Sequence, residues 1–238
     1  MNRLVTILCA LLAIPVMAAD FYVSQNGSGS TNSLAWLNVQ TNRNRGAGTI
    51  LPGDTVHLCG TLTNNLGIRT NGTAGNPITI LFEPNAKFSA GTMFNTGWIQ
   101  IADHIVIDGG ANGRLELTDN GTTSTYGGTF STNNGSVWGI FGDNHNDVTI
   151  NNLTIAGLYV RQTVTDPGPV NYSGNEPRAI FMRDPSSLTV SNCVISDCQS
   201  PIWLTYNSGH HQMWFSPIAY LRITTGAFQW RRIRGTHS

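Results

Sequence analysis

Acids and an arginine recur at one place in this sequence. Laying the segment that starts at Trp138 over the one that starts at Arg178, forty residues on, sets Asp143 against Arg183 and Asn144 against Asp184. A weaker copy that starts at Trp98 brings Asp103 to the same column, with His145 and Asp147 close by. Carboxylates beside a guanidinium could gather a hard cation or take part in proton transfer. Asp and Asn are also the residues that a tight turn selects. The same column therefore reads as turn chemistry, the plainer of the two readings. Lys87 is the only lysine in the chain and reads as a solvated surface charge at a corner. His210 and His211 follow a glycine without an acid cluster, and no local motif supports a Ser-His-Asp triad. Tyr126, Phe130, Tyr159 and Tyr172 fall in two segments, 109–136 and 157–177, that interrupt the short-period pattern. Their rings could stack on sugars, or the segments could simply cover the fold.

What positions these residues is an internal repeat. WGIFGDNHNDVTINNLTIA from Trp138 aligns without a gap with RAIFMRDPSSLTVSNCVIS from Arg178. Ile140, Phe141, Val148, Ile150, Leu153 and Ile155 meet Ile180, Phe181, Leu188, Val190, Cys193 and Ile195. Self-similarity at such a period signals stacked coils. Within each copy apolar residues alternate in steps of two, which places Val148 and Ile150 on one face of a strand. Asn151 and Asn152 then predict a sharp bend, because Asn tolerates the left-handed backbone region. Such strands are too short to stand alone; the next coil must pair their backbones and bury the inward row. Asn152 and Asn192 are expected to lie one above the other and to bond along the stack. A β-sandwich or barrel alternates too but does not repeat one pattern at fixed spacing, and the leucine consensus of a leucine-rich repeat is missing.

Composition agrees. Charged residues make up 11% of the 238 and Gly numbers 26, a mix that disfavours long helices and favours short strands joined by turns. The first nineteen residues, MNRLVTILCALLAIPVMAA, have the charged start, apolar run and small-residue end of a secretory signal peptide. No later segment is long and apolar enough to span a membrane. Cys59, Cys193 and Cys198 follow the leader. Cys193 and Cys198 read as buried small residues, with a disulfide between them as the alternative. From Asp20 to Leu221 acids exceed bases, thirteen to eight, so nothing in the body suggests nucleic acid as a partner. Residues 208–238 differ: they hold four arginines and no Asn, Asp, Glu, Lys or Val. That shift fits a chain truncated or read out of frame after about His211; a genuine basic cap is the rival reading. The expected division is a signal peptide at 1–19, the repeat domain at 20–207 and an atypical basic tail at 208–238.

FYVSQNGSGS at Phe21–Ser30, LPGDTVHL at Leu51–Leu58 and GTAGNPITI at Gly72–Ile80 resemble the pectate-lyase-like superfamily of right-handed parallel β-helices. The resemblance covers roughly residues 21–206. It implies an all-β fold, a right-handed parallel β-helix solenoid with long loops on one side. An amphipathic capping helix usually precedes the PGDTV piece; here LAWLNVQTNRNRGAGTI is short, asparagine-rich and glycine-interrupted, a poor helix. The resemblance further implies a secreted, periplasmic or cell-surface carbohydrate-active protein, polysaccharide-lyase-like, a monomer acting on or binding acidic polysaccharide. A non-catalytic glycan-binding β-helix is the alternative. Lyases of this kind often use calcium to offset the substrate carboxylate and an arginine or lysine as base. Carried onto this chain, that makes Asp143, Asp147 and Asp184 the candidate calcium ligands, Arg183 the candidate catalytic residue, and Tyr126, Tyr159 and Tyr172 the candidate substrate-binding residues.

Overall fold

The computed structural model describes residues 18–41, 49–90, 98–118, 138–158, 178–196, 198, 200–205, 221–222 and 228–229. The signal-peptide segment before residue 18 and most of the tail lie outside these. The chain opens with β1 (Asp20–Ser24), β2 (Asn32–Ser33) and α1 (Leu34–Gln40). Five circuits follow, each of three strands. They are β3 (Thr55–Leu58), β4 (Thr61–Leu62) and β5 (Leu66–Gly67); β6 (Ile78–Phe82), β7 (Lys87–Ala90) and β8 (Ile99–Gln100); β9 (Ile105–Asp108), β10 (Arg114–Leu117) and β11 (Trp138–Asp143). Then come β12 (Val148–Asn151), β13 (Thr154–Ala156) and β14 (Arg178–Arg183), and β15 (Leu188–Ser191), β16 (Val194–Ser196) and β17 (Ser200–Thr205). Two short strands, β18 (Leu221–Arg222) and β19 (Phe228–Gln229), complete the set.

Every circuit visits three sheets in the same order, A, B and C, and each strand pairs in parallel with its counterpart one circuit away. This is a stack of three parallel sheets, compatible with the expected parallel β-helix. The alternation seen in the sequence explains it. On sheet A the inward column runs Val56, Ile80, Ile107, Ile150, Val190. On sheet B it runs Leu62, Phe88, Leu115, Ile155, Ile195. On sheet C it runs Leu66, Ile99, Ile140, Ile180, Ile202. All fifteen side chains are buried in one apolar core, and burying a residue of this size contributes on the order of 1.5–3 kcal/mol.

The corner from A to B is built by Asn152 and Asn192 in the left-handed region, φ 55° and 51°. Asn151 stays in its strand, so one asparagine per corner suffices. Asn152 is exposed. Its amide donates to Asp108 Oδ1 of the neighbouring circuit at 3.0 Å, so bonding along the stack reaches the aspartate.

Three further departures from expectation have physical causes. Leu34–Gln40 is helical despite its composition: Ser33 Oγ accepts from the Trp36 N–H at 3.1 Å, and Leu34 and Leu37 bury themselves. The helix packs on β1, β2 and β5 and so covers the first circuit. Within the segment read as a loop at 109–136, Arg114–Leu117 forms β10, paired with β7 and β13. In the tail, β19 and β18 pair antiparallel with β15 and β16, adding to the open edges of sheets A and B. Cys193 and Cys198 are buried, their thiols donating to the Ser191 and Ser196 carbonyls at 3.2 Å, and Cys59 is half-buried. Lys87 is not a bare surface charge, because its Nζ donates to Glu116 at 2.7 Å. Among the described residues no helix is long and apolar enough to cross a membrane.

Candidate functional site

The outer face of sheet C differs from the other two. Phe141 of β11, Phe181 of β14 and Trp203 of β17 are register partners and form an aromatic row across three circuits. Trp138 joins them, 4.4 Å from Phe141 and 4.9 Å from Phe181 between ring centroids. Two guanidiniums lie on this row. Arg178 sits between Phe181 and Trp203, at 4.4 and 4.2 Å from their centroids. Arg183 lies 5.1 Å from Phe141 and 5.7 Å from Phe181. Arginine stacks on ring faces with its donors in the plane of the guanidinium; the Arg178 Nε is buried, whereas the Arg183 side chain is 44% exposed.

A groove of about 290 Å³ runs beside this row, toward the corner from C to A. Ile101 and Ala102 floor it, and Arg69, Asn71, Gln100, Asp143 and His145 supply its polar wall. Phe141 borders both groove and row.

The register places Asp143 directly against Arg183, as the repeat predicts, with the guanidinium 3.5 Å from the carboxylate. Both side chains are more than two-fifths exposed. Asp103 does not share that column. From Ile99 to Ile105 the chain takes six steps, whereas from Ile140 to Val148 and from Ile180 to Leu188 it takes eight. The shorter corner slides Asp103 under His145, whose Nδ1 is 3.1 Å from Asp103 Oδ1. Asn146 N–H donates to the same oxygen at 3.0 Å, and Asn71 Nδ2 donates to Oδ2 at 2.8 Å. Burial pushes the Asp103 carboxyl up, but the Asn146 and His145 hydrogen bonds and the charges of His145 and His104 outweigh it and hold the group below its ordinary value.

The three proposed metal ligands point to different partners. Asp143 faces Arg183; Asp147 meets His104 Nδ1 at 3.0 Å. Asp184 sits in the left-handed region, φ 43°, at the corner itself. Among the described residues no three His, Cys, Asp or Glu side chains converge as a cation site requires. Among the described residues these three carboxylates do not converge on one point, and no step below is routed through calcium. Tyr126, Tyr159 and Tyr172 lie outside the described residues. Their segments run between β10 and β11 and between β13 and β14, the passage from sheet B to sheet C in both cases.

No protein-family model, curated protein or solved structure matches this chain. Function must therefore be argued from the face itself. Sequence reasoning missed Arg178, Trp203, Arg69 and the pairing of His145 with Asp103. The first two had a signal: Phe141 and Phe181 align in the repeat, and the step-two alternation puts them opposite the buried Ile140 and Ile180. Two phenylalanines at one register position opposite the inward column, Phe181 being buried there all the same, are unusual enough to have marked the face.

Proposed function

We propose that this protein is an exported, pectate-lyase-like β-helix that binds an acidic polysaccharide along the outer face of sheet C. The observation that carries the proposal is the exposed Arg183, lying over Phe141 on the row of Phe141, Phe181 and Trp203, in which Phe181 is buried and backs its neighbours. Sugar rings present apolar C–H faces that pack on aromatic surface, and uronates add a carboxylate. A guanidinium, effectively always charged and carrying five donors in a plane, matches that carboxylate in a bidentate fashion. The repeat of about 4.8 Å between circuits lines these groups up along the stack, which suits a chain-like ligand. The leader-like start of the sequence supports export.

Arg183 is better placed to hold a carboxylate than to remove a proton. It faces Asp143 and lies over two rings, surroundings that suit a cation.

Affinity electrophoresis tests the reading. Native gels cast with pectate, alginate or chondroitin are expected to retard the protein, and gels cast with neutral dextran are not. Arg183→Ala is expected to weaken retardation in the acidic gels with its thermal midpoint little changed, because the Arg183–Asp143 pair is exposed. Equal migration in all four gels would sink the proposal.

A further inference from the structure

We propose that the leader is cut between Ala18 and Ala19 and that the Ala19 α-ammonium so released pairs with the buried carboxylate of Asp54, an inference that rests on the export half of the proposal and not on what sheet C binds. Asp54 is 3% exposed and is the one acid among the buried polar side chains described. It sits in the turn that leads into β3. Its N–H donates to the Leu51 carbonyl at 3.1 Å, and its Oδ2 accepts from the Leu51 N–H at 2.7 Å. Its Oδ1 accepts from the backbone N–H of Ala19 at 2.8 Å. Among the described residues no Lys, Arg or His lies within ion-pair distance of it. A carboxylate taken out of water costs stability unless a cation or several donors answer it. Two N–H groups fill only about half of a carboxylate's roughly four acceptor sites. The ladder holds the other end of the same residue, because the Ala19 carbonyl accepts from the Thr55 N–H at 2.9 Å, one step before Asp20 pairs with Thr55. Ala19 is thus fixed through both its N–H and its carbonyl, while Ala18 and Ala19 are exposed.

The sequence points independently to the same nitrogen. A leader ends in small residues at the first and third positions before the cut. A cut after Ala18 puts Ala18 and Val16 there, whereas a cut after Ala19 puts the bulkier Met17 at the third. The boundary so falls one residue before the end of the nineteen-residue stretch. In the leader peptidase, water adds across the Ala18–Ala19 peptide bond. Its oxygen joins the Ala18 carbonyl carbon, the C–N bond breaks, and both of its hydrogens end on the Ala19 nitrogen. The Ala18 carboxylate departs with the leader. One amide N–H becomes three charged donors at the position Asp54 already engages. Charge-assisted hydrogen bonds are about twice as strong as neutral ones. Asp20, the next acid, faces His57 at 3.3 Å and does not compete. Chain ends fray unless they are tied down. β1, which lies between β2 and β3 in sheet A, is tied at its start when the leader is removed.

The full chain is expressed with its own leader in a secreting bacterium, and the exported product is characterised by N-terminal sequencing. Ala19 is the expected first residue. The product then carries two primary amines, its α-amine and Lys87, so peptide mass mapping assigns an amine-selective label to each. At about pH 8, where an unpaired α-amine is roughly half deprotonated, the Ala19 amine is expected to react about tenfold more slowly than in Asp54→Asn. Lys87 should be labelled alike in both. If Asp54→Asn does not fold, the parent decides alone: its α-amine should react about tenfold more slowly in buffer than in urea. A first residue other than Ala19, or an α-amine labelled as fast in the parent as in its comparator, overturns the assignment and leaves the export reading standing. A chain that stays uncut removes the export reading with it. Gel retardation tests the glycan surface separately in every case.

Discussion

If Arg183 is there to receive a carboxylate, then Asp143 is its internal competitor, and removing Asp143 should tighten binding. Asp143→Asn keeps the side chain's shape and deletes one charge 3.5 Å from the guanidinium. The cost to stability is small, because the two side chains are 44% and 42% exposed and exposed pairs contribute about 0–1 kcal/mol. That same fraction of a kcal/mol becomes available to the ligand. One kcal/mol corresponds to about a fivefold change in an equilibrium constant, so affinity for an acidic polymer should rise by roughly two- to fivefold. Any lost acid near a polyanion reduces repulsion, so a control is needed. Asp20→Asn deletes a more exposed charge on sheet A, several circuits away, where salt screens it beyond about 8–10 Å. Affinity electrophoresis across a range of polymer concentrations gives the three dissociation constants. The reasoning fails if Asp143→Asn binds more weakly than the parent, which would mean the carboxylate itself contacts the ligand. It fails equally if Asp20→Asn tightens binding to the same extent.

Two further outcomes test the stack and its electrostatics. Gly109→Ala would set a Cβ 2.1 Å from the Asn152 carbonyl oxygen, a backbone atom of the next circuit, whereas Gly75→Ala, at φ +82°, meets nothing within 4 Å. The second should cost only the left-handed strain of about 1–2 kcal/mol, and the first roughly 3 kcal/mol or more; urea unfolding followed by tryptophan fluorescence would contradict the register if the two costs were equal. Asp103 and Glu116 both titrate below their ordinary values: burial raises each, but for Glu116 hydrogen bonds from Lys87 and Ser89 with the Lys87 and Arg114 charges outweigh it. Groups lowered in the folded state add stability above the unfolded carboxylate pKa of about 4 and lose it as pH falls through the folded value. Asp103→Asn and Glu116→Gln should therefore each flatten the fall in thermal midpoint below about pH 5, and an unchanged acid limb would refute the assignment.

The inward columns were legible in the sequence because their signal is both periodic and repeated. Ile150 is apolar at step two within its own strand and again forty residues on at Val190, and both patterns come from one requirement, a dry row facing the core. The helix at Leu34–Gln40 was not legible, since seven residues carry little periodic signal and its stability comes from the Ser33 cap and the burial of Leu34 and Leu37. β10 was hidden for a related reason. Its Leu115 lies forty residues before Ile155, in register with the later copies, but Gly109, Gly110 and Gly113 just before it read as a loop, and its partners on the other side lie only 27 residues back at Phe88 and Ala90.

The site shows where such reading stops. Strands in this stack keep register because the ladder and the core fix it, so a residue inside a strand, such as Arg183 opposite Asp143, can be placed by counting. A residue in a corner cannot, because corners differ in length with no loss of pairing on either side. Asp103 illustrates the difference. Counting forty residues puts it beside Asp143, yet the two missing residues between Ile99 and Ile105 bring it to His145 instead. The change turns an apparent cluster of acids, which would suit a cation, into a carboxylate that steadies an imidazole. Corner length thus decides the chemistry here more than residue type does. Restoring the two residues within 101–104 should carry Asp103 away from His145 while leaving β8 and β9 paired as before.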